Sequence, residues 1–140
     1  MSELLEITSY AGEGYHPLVD YGAWRVAMLR YEPELAANAI HNVQKHDETD
    51  EVFVLLAGRC ILFVSADAED ASAIEAADLE PLKLYNVKRG VWHTHTLSED
   101  ASVLIIENRD TTLANSPRVD LNAAQRAQIV RLTAQLWADA

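Results

Sequence analysis

The side chains of this chain best suited to chemistry are His46 and Glu51, in the run His46-Asp-Glu-Thr-Asp-Glu51, and His93 with His95 further on. Imidazole and carboxylate each bind a divalent metal at roughly 2.0–2.2 Å, so spacing decides whether one ion reaches several of them. Two apolar-rich runs, Ala39–Val43 and Val52–Leu56, flank the polar Asp47-Glu48-Thr49-Asp50, which is the composition of a β-hairpin with a short loop. With Asp47–Asp50 as the turn, His46 and Glu51 close it, and opposed side chains on one hairpin face have Cβ atoms about 4.5–5.5 Å apart. One ion then touches both. Period-2 alternation adds Gln44 to the face of His46, and Phe53 and Leu55 to that of Glu51. The competing reading of the hairpin alone is a surface ion pair worth a few tenths of a kcal/mol.

His93 and His95 fall on one face of a second strand, with Trp92 and Thr94 on the other. Beside the hairpin in an all-β barrel, that strand brings two imidazoles and one carboxylate together. This is the facial set that leaves open positions on Fe(II) or a similar ion.

The elements that must position these residues are mostly strands. Gly22–Tyr31 is dense in β-branched and aromatic residues and is closed by Glu32-Pro33-Glu34. Val52–Val64 reads as two strands joined at Ala57-Gly58-Arg59, where glycine supplies the unusual backbone angle. Leu82–Val87, Val91–Thr96 and Ala101–Asn108 read as further strands separated by turns. Ser65–Glu80 holds six acidic residues, six alanines and no aromatic group, and reads as a solvated connection with a helical turn around Ala71–Ala77. His16 precedes Pro17 and reads as an exposed loop histidine. From about 122 to 138 the period becomes 3.6: Ile129, Leu132 and Leu136 form an apolar stripe, widened by Val130 and Trp137, and Asn122 with Gln125 resembles a capping box. About seven or eight strands and a terminal helix predict an antiparallel sandwich or barrel with an appended helix. The whole chain, 1–140, is expected to be one domain, with the barrel at about 22–108.

Charge narrows the partners. Against 11 Lys and Arg stand 22 Asp and Glu, with no basic cluster, which excludes nucleic acid and anionic membrane surfaces as natural partners. Cys60 is alone in an apolar run, so a buried, inert thiol and a reducing compartment are expected. The start Met-Ser-Glu-Leu-Leu-Glu-Ile has no basic segment, and no apolar run approaches the roughly eighteen residues of a membrane span. A cytoplasmic protein is expected.

The spacing His46, four residues, Glu51, six residues, Gly58, followed later by Gly90-Val-Trp-His93, resembles the paired motifs of the cupin superfamily, above all small single-domain cupins. The resemblance covers roughly residues 24–108. It implies a cupin-type double-stranded β-helix, or jelly-roll barrel, with His46, Glu51 and His93 as metal ligands. Where those motifs usually carry a histidine two residues before His46, this chain has Gln44. The second motif's usual glycine near Leu82, its proline at the place of Lys88 and its asparagine at that of Leu97 are also absent. The fourth metal position stays open between the Gln44 amide oxygen, His95 and water, and ligand type does not separate Zn, Fe, Mn and Ni. The resemblance also implies a small polar metabolite bound in the barrel, a homodimer, and activities ranging over isomerases, lyases and dioxygenases. His95 is the candidate general acid or base because its ordinary pKa lies near neutrality, and Tyr85, Trp92 and Glu107 are candidate pocket walls. The alternative, supported by Gln44, is a non-catalytic small-molecule binder or sensor with a degenerate or empty metal site.

Overall fold

The computed structural model describes residues 4–138. In chain order the strands are β1 (Gly14–Tyr21), β2 (Trp24–Arg30), β3 (Asn42–Gln44), β4 (Glu51–Ala57), β5 (Cys60–Ser65), β6 (Glu75–Asp78), β7 (Tyr85–Val87), β8 (Trp92–Leu97), β9 (Ser102–Asn108) and β10 (Arg118–Asp120), followed by helix α1 (Ala123–Leu136). They build two five-stranded antiparallel sheets, ordered β1-β2-β9-β4-β7 and β10-β3-β8-β5-β6.

Strand alternation explains the layers. Ala27 and Leu29 of β2, Phe53 and Leu55 of β4, and Val103 and Ile105 of β9 share one buried cluster with Cys60, Leu62 and Leu97 of the second sheet. That cluster is the barrel interior. The intervening residues of β5, Ile61 and Phe63, join Ile40, Val43, Leu121 and Ile129 in a second cluster under α1. β5 is thus covered on both faces, which is why its sequence is apolar without alternation. The lone thiol, Cys60, is fully buried, and burial pushes its pKa up to about 12, with Asp78 adding to the rise.

The helix forms where its cap is written. Asn122 Oδ1 accepts from Gln125 N at 2.8 Å and Gln125 Oε1 accepts from Asn122 N at 2.9 Å, the reciprocal bonds of a capping box. Ile129, Leu132 and Trp137 pack onto the second sheet, while Val130 and Leu136 remain exposed. The buried face includes Gln125 and Thr133 instead; each is satisfied, by the Ala68 and Ile129 carbonyls respectively.

Several expectations need correction. His46 and Glu51 do not close a hairpin: β3 belongs to the second sheet and β4 to the first, and the segment between them crosses from one to the other. The segment around His16, expected as loop, belongs to edge strand β1, with Pro17 at a break in register where no ladder donor is needed. His16 is therefore a strand residue, exposed and stacked on Tyr10 with ring centroids 4.3 Å apart. The acidic 65–80 stretch carries a short 3-10 turn at Ala71–Ala73, as expected, but also β6, which zips onto β5. β7 is only three residues long; Leu82, at φ 69, lies in the left-handed region and outside it. No helix among the described residues is long and apolar enough to cross a membrane.

Candidate metal centre

Three elements deliver the chemistry. Glu51 is the first residue of β4 and shares the inward face with Phe53 and Leu55. His93 is the second residue of β8 and lies in register with Gln44 of β3. His46 sits two residues past β3, in a segment fastened on both sides. Lys45 N and Asp47 N donate to the Pro117 and Asn115 carbonyls at 3.1 and 3.0 Å, and Gly90 N donates to the His46 carbonyl at 2.9 Å. Asp50 completes the clamp, its carboxylate accepting from Asn86 Nδ2 at 3.0 Å and from Arg89 N at 2.7 Å.

The result is convergence. His46 Nε2 and His93 Nε2 each lie 3.0 Å from the same oxygen, Glu51 Oε1. One ligand atom from each residue falls within 4.8 Å of the others, and all three residues are buried. The opposite ring nitrogens are engaged as well. His93 Nδ1 lies 3.1 Å from the Val91 carbonyl, which can only accept, so Nδ1 carries the hydrogen. His46 Nδ1 lies 2.7 Å from Ser116 Oγ, whose hydroxyl can donate to Asn115 Oδ1 at 3.3 Å and accept from the ring. When both rings are neutral in these tautomers, each turns an Nε2 lone pair towards a carboxylate oxygen; when charged, each donates an Nε2–H to it. In the neutral form a cation is needed between these lone pairs, and the donor set fits a metal ion, with Val91 and Ser116 as the outer partners that orient the rings.

Electrostatics agree. Burial alone raises the Glu51 pKa, but hydrogen bonds and charge from His46 and His93 hold the carboxyl well below its ordinary range. Burial opposes a charged His46, yet the Glu51 carboxylate, aided by Glu107 and Asp47, raises its pKa overall. The site draws positive charge.

Two cavities flank the centre and share Gln44 and Arg118. The first, about 360 Å³, is bordered also by Glu32, Glu34, His41, His93 and His95. The second, about 330 Å³, is bordered by Tyr15, His46, Glu51, Glu107 and Ser116. His95 lies on the same strand face as His93 and outside the converging group. Its Nδ1 is buried without a hydrogen-bond partner among the described residues. Burial pushes its pKa down to about 4, His93 adding to the fall and Glu51 opposing it, so at neutral pH it is an uncharged imidazole.

The expected pocket walls divide. Glu107 borders the second cavity; Oε2 accepts from the Tyr15 hydroxyl and Oε1 is buried without a partner among the described residues. Burial and the neighbouring Glu51 charge lift its pKa to about 7. Trp92 instead faces the helix-side cluster, with Lys45 Nζ 4.8 Å from its ring, because it alternates with His93 along β8. Tyr85 packs against the interior cluster and its hydroxyl accepts from Glu80 N at 3.0 Å; neither residue borders the two cavities. Sequence reasoning missed Tyr15, Ser116 and Arg118. Only Ser116 had a local signal, the turn composition of Asn115-Ser-Pro117, and that signal carried no chemistry.

No protein-family model matches the chain, and no curated protein does. Solved structures do. CapF with the inhibitor 3-isopropenyl-tropolone superposes with a TM-score of 0.56 at 12% identity, over 79% of this chain and 33% of that one. Pac13, a nucleoside dehydratase, gives 0.54 at 9% identity, covering 82% and 86%. A cupin-2 domain protein from Shewanella frigidimarina NCIMB 400 gives 0.49 at 21%, covering 71% and 85%. Fold and side chains together define the class, an antiparallel jelly-roll barrel with a buried group of two histidines and a carboxylate that could hold a metal ion. More narrowly, its two sheets have the cupin fold, the double-stranded β-helix they share with Pac13 and CapF, with a C-terminal helix on one sheet.

Proposed function

We propose that this protein holds a divalent first-row transition metal on His46, Glu51 and His93, and that it acts there on a small polar metabolite. The observation carrying this reading is the approach of both Nε2 atoms to Glu51 Oε1 at 3.0 Å. Without a metal, both contacts are answered only if each ring carries a proton on Nε2; a single divalent ion answers both with the rings neutral. Two histidines and one carboxylate suit Zn, Fe, Mn and Ni alike. Gln44, in register with His93, is the candidate fourth ligand through its amide oxygen, the others being water and His95. Once bound, the ion supplies a Lewis acid that polarises a ligand oxygen.

The reaction classes compatible with such a centre are those of isomerases, lyases and dioxygenases. His95, uncharged and unpartnered, is better suited to hydrogen-bonding the ligand than to acid–base work. Glu107, with a free Oε1 on the second cavity, is the carboxyl better suited to exchanging a proton with it. A non-catalytic binder or sensor is the second reading. Gln44 favours it, because a neutral amide binds these metals less well than imidazole. We further propose a cytoplasmic homodimer, its assembly to be read by light scattering.

The test is elemental analysis of untagged protein purified without chelators, beside His46→Ala and His93→Ala. Near-stoichiometric metal in the wild type and its loss from both variants is expected. A wild type that arrives empty and takes up no added Fe, Mn, Ni or Zn defeats the metal reading. With metal in place, turnover on sugars or keto acids separates the enzyme from the binder.

A further inference from the structure

Arg118 is the one lysine or arginine bordering the two cavities beside the candidate centre, and it borders both. Arg25 pairs with Asp20 at 2.8 Å and Arg59 with Asp78 at 2.8 Å, whereas Arg89, Arg126 and Arg131, whose side chains lack such partners among the described residues, border neither cavity. The guanidinium of Arg118 makes no hydrogen bond or ion pair with any described residue. Glu32 and Glu34 border the first cavity with it, yet neither engages its guanidinium. The fork is open.

Its place in the fold aims it at the centre. Arg118 opens β10 in register with Gln44 of β3, and Gln44 is in register with His93 of β8. The three side chains therefore stand in one row on one face of the second sheet. Neighbours in such a row have Cβ atoms about 4.5–5.5 Å apart, which puts Arg118 about 9–11 Å from His93 at Cβ. A long guanidinium side chain and a small ligand together span that gap.

The remaining charge around the cavities is negative, from Glu32, Glu34 and Glu51, in a chain of net charge −11. Such a field repels an anion unless a fixed cation receives it. A guanidinium matches carboxylate and phosphate oxygens two at a time.

We infer that Arg118 receives an anionic group of the ligand, a carboxylate or a phosphate, so that the ligand is a small anion with its other polar end at His46, Glu51 and His93. This rests on the reading of those three residues as a metal centre. Arg118 is then the residue that selects charged over uncharged ligands.

The test is calorimetric titration of wild type, Arg118→Gln and Arg118→Lys with oxalate, pyruvate, inorganic phosphate and uncharged dihydroxyacetone, with and without added Zn or Mn. At least one anion should bind the wild type and bind Arg118→Gln about 10- to 100-fold more weakly, the usual worth of a hydrogen bond to a charged group. Arg118→Lys should fall between, and dihydroxyacetone should not distinguish the three. The carboxylate and phosphate arms identify which anion is meant. No anion bound by the wild type, or equal binding by Arg118→Gln, overturns the inference. Metal content measured on the same samples separates it from the centre itself. Metal retained with Arg118-independent binding removes the anion site alone, whereas Arg118-dependent binding by protein that takes up no metal keeps the anion site and removes the centre.

Discussion

At the scale of single residues, the centre depends on partners far away in sequence. His46 and Ser116 are separated by 70 positions and Tyr15 and Glu107 by 92, so no local pattern announces either contact. The three converging residues were legible because metal-binding side chains are rare, polar and regularly spaced. Their orienting partners were not, because a serine in a turn and a tyrosine on an edge strand look ordinary. Ser116 nevertheless has a measurable job on the proposed reading. Its hydroxyl accepts from His46 Nδ1 at 2.7 Å and keeps Nε2 free for a metal. Replacing Ser116 with Ala should therefore weaken metal affinity by about 10- to 100-fold, the usual effect of losing an outer partner of a ligating histidine. Competition against a chelator of known affinity reads it. Affinity equal to wild type would show that the ring is oriented without Ser116.

At the scale of elements, alternation and capping carried most of the reading, and strand partnership was where it failed. The capping box at Asn122 and Gln125, strands β2 and β9, and the glycine break between β4 and β5 follow from local rules that the chain obeys. A hairpin between β3 and β4 also satisfied those rules, but short-range pattern does not say which sheet a strand joins. The same kind of sheet crossing occurs at Gly58, which passes the chain from β4 to β5 at φ +69. A Cβ added there meets Ala101 Cα at 2.6 Å and Ala101 N at 2.7 Å, so backbone strain and a clash with backbone coincide. Gly58→Ala should cost about 2 kcal/mol or more. The urea midpoint should fall with little change in slope, since the strain adds no exposed surface to the unfolded chain. An unchanged midpoint would mean the crossing tolerates an ordinary residue.

At the scale of the whole molecule, the candidate centre is a joint between sheets: Glu51 comes from the first, His93 from the second, and His46 from the segment that passes between them. Without a cation the joint holds a buried carboxylate facing two imidazoles, and part of the attraction that closes the barrel at this end is missing. A metal ion that binds the folded chain and not the unfolded one stabilises it by mass action, by about 2.7 kcal/mol at a hundredfold excess over Kd. For a chain of this size that amounts to a rise in Tm of about 6–12 °C. Thermal unfolding of metal-free protein, of the same protein after addition of Zn, Fe, Mn or Ni, and of Glu51→Gln treated identically is the measurement. The wild type should gain Tm with one or more of these metals and lose the gain on chelation. Glu51→Gln, which keeps the shape and removes the charge, should gain little. An equal shift in both proteins would place the bound metal elsewhere on the acidic surface, for only a centre that spans the two sheets ties metal binding to this carboxylate.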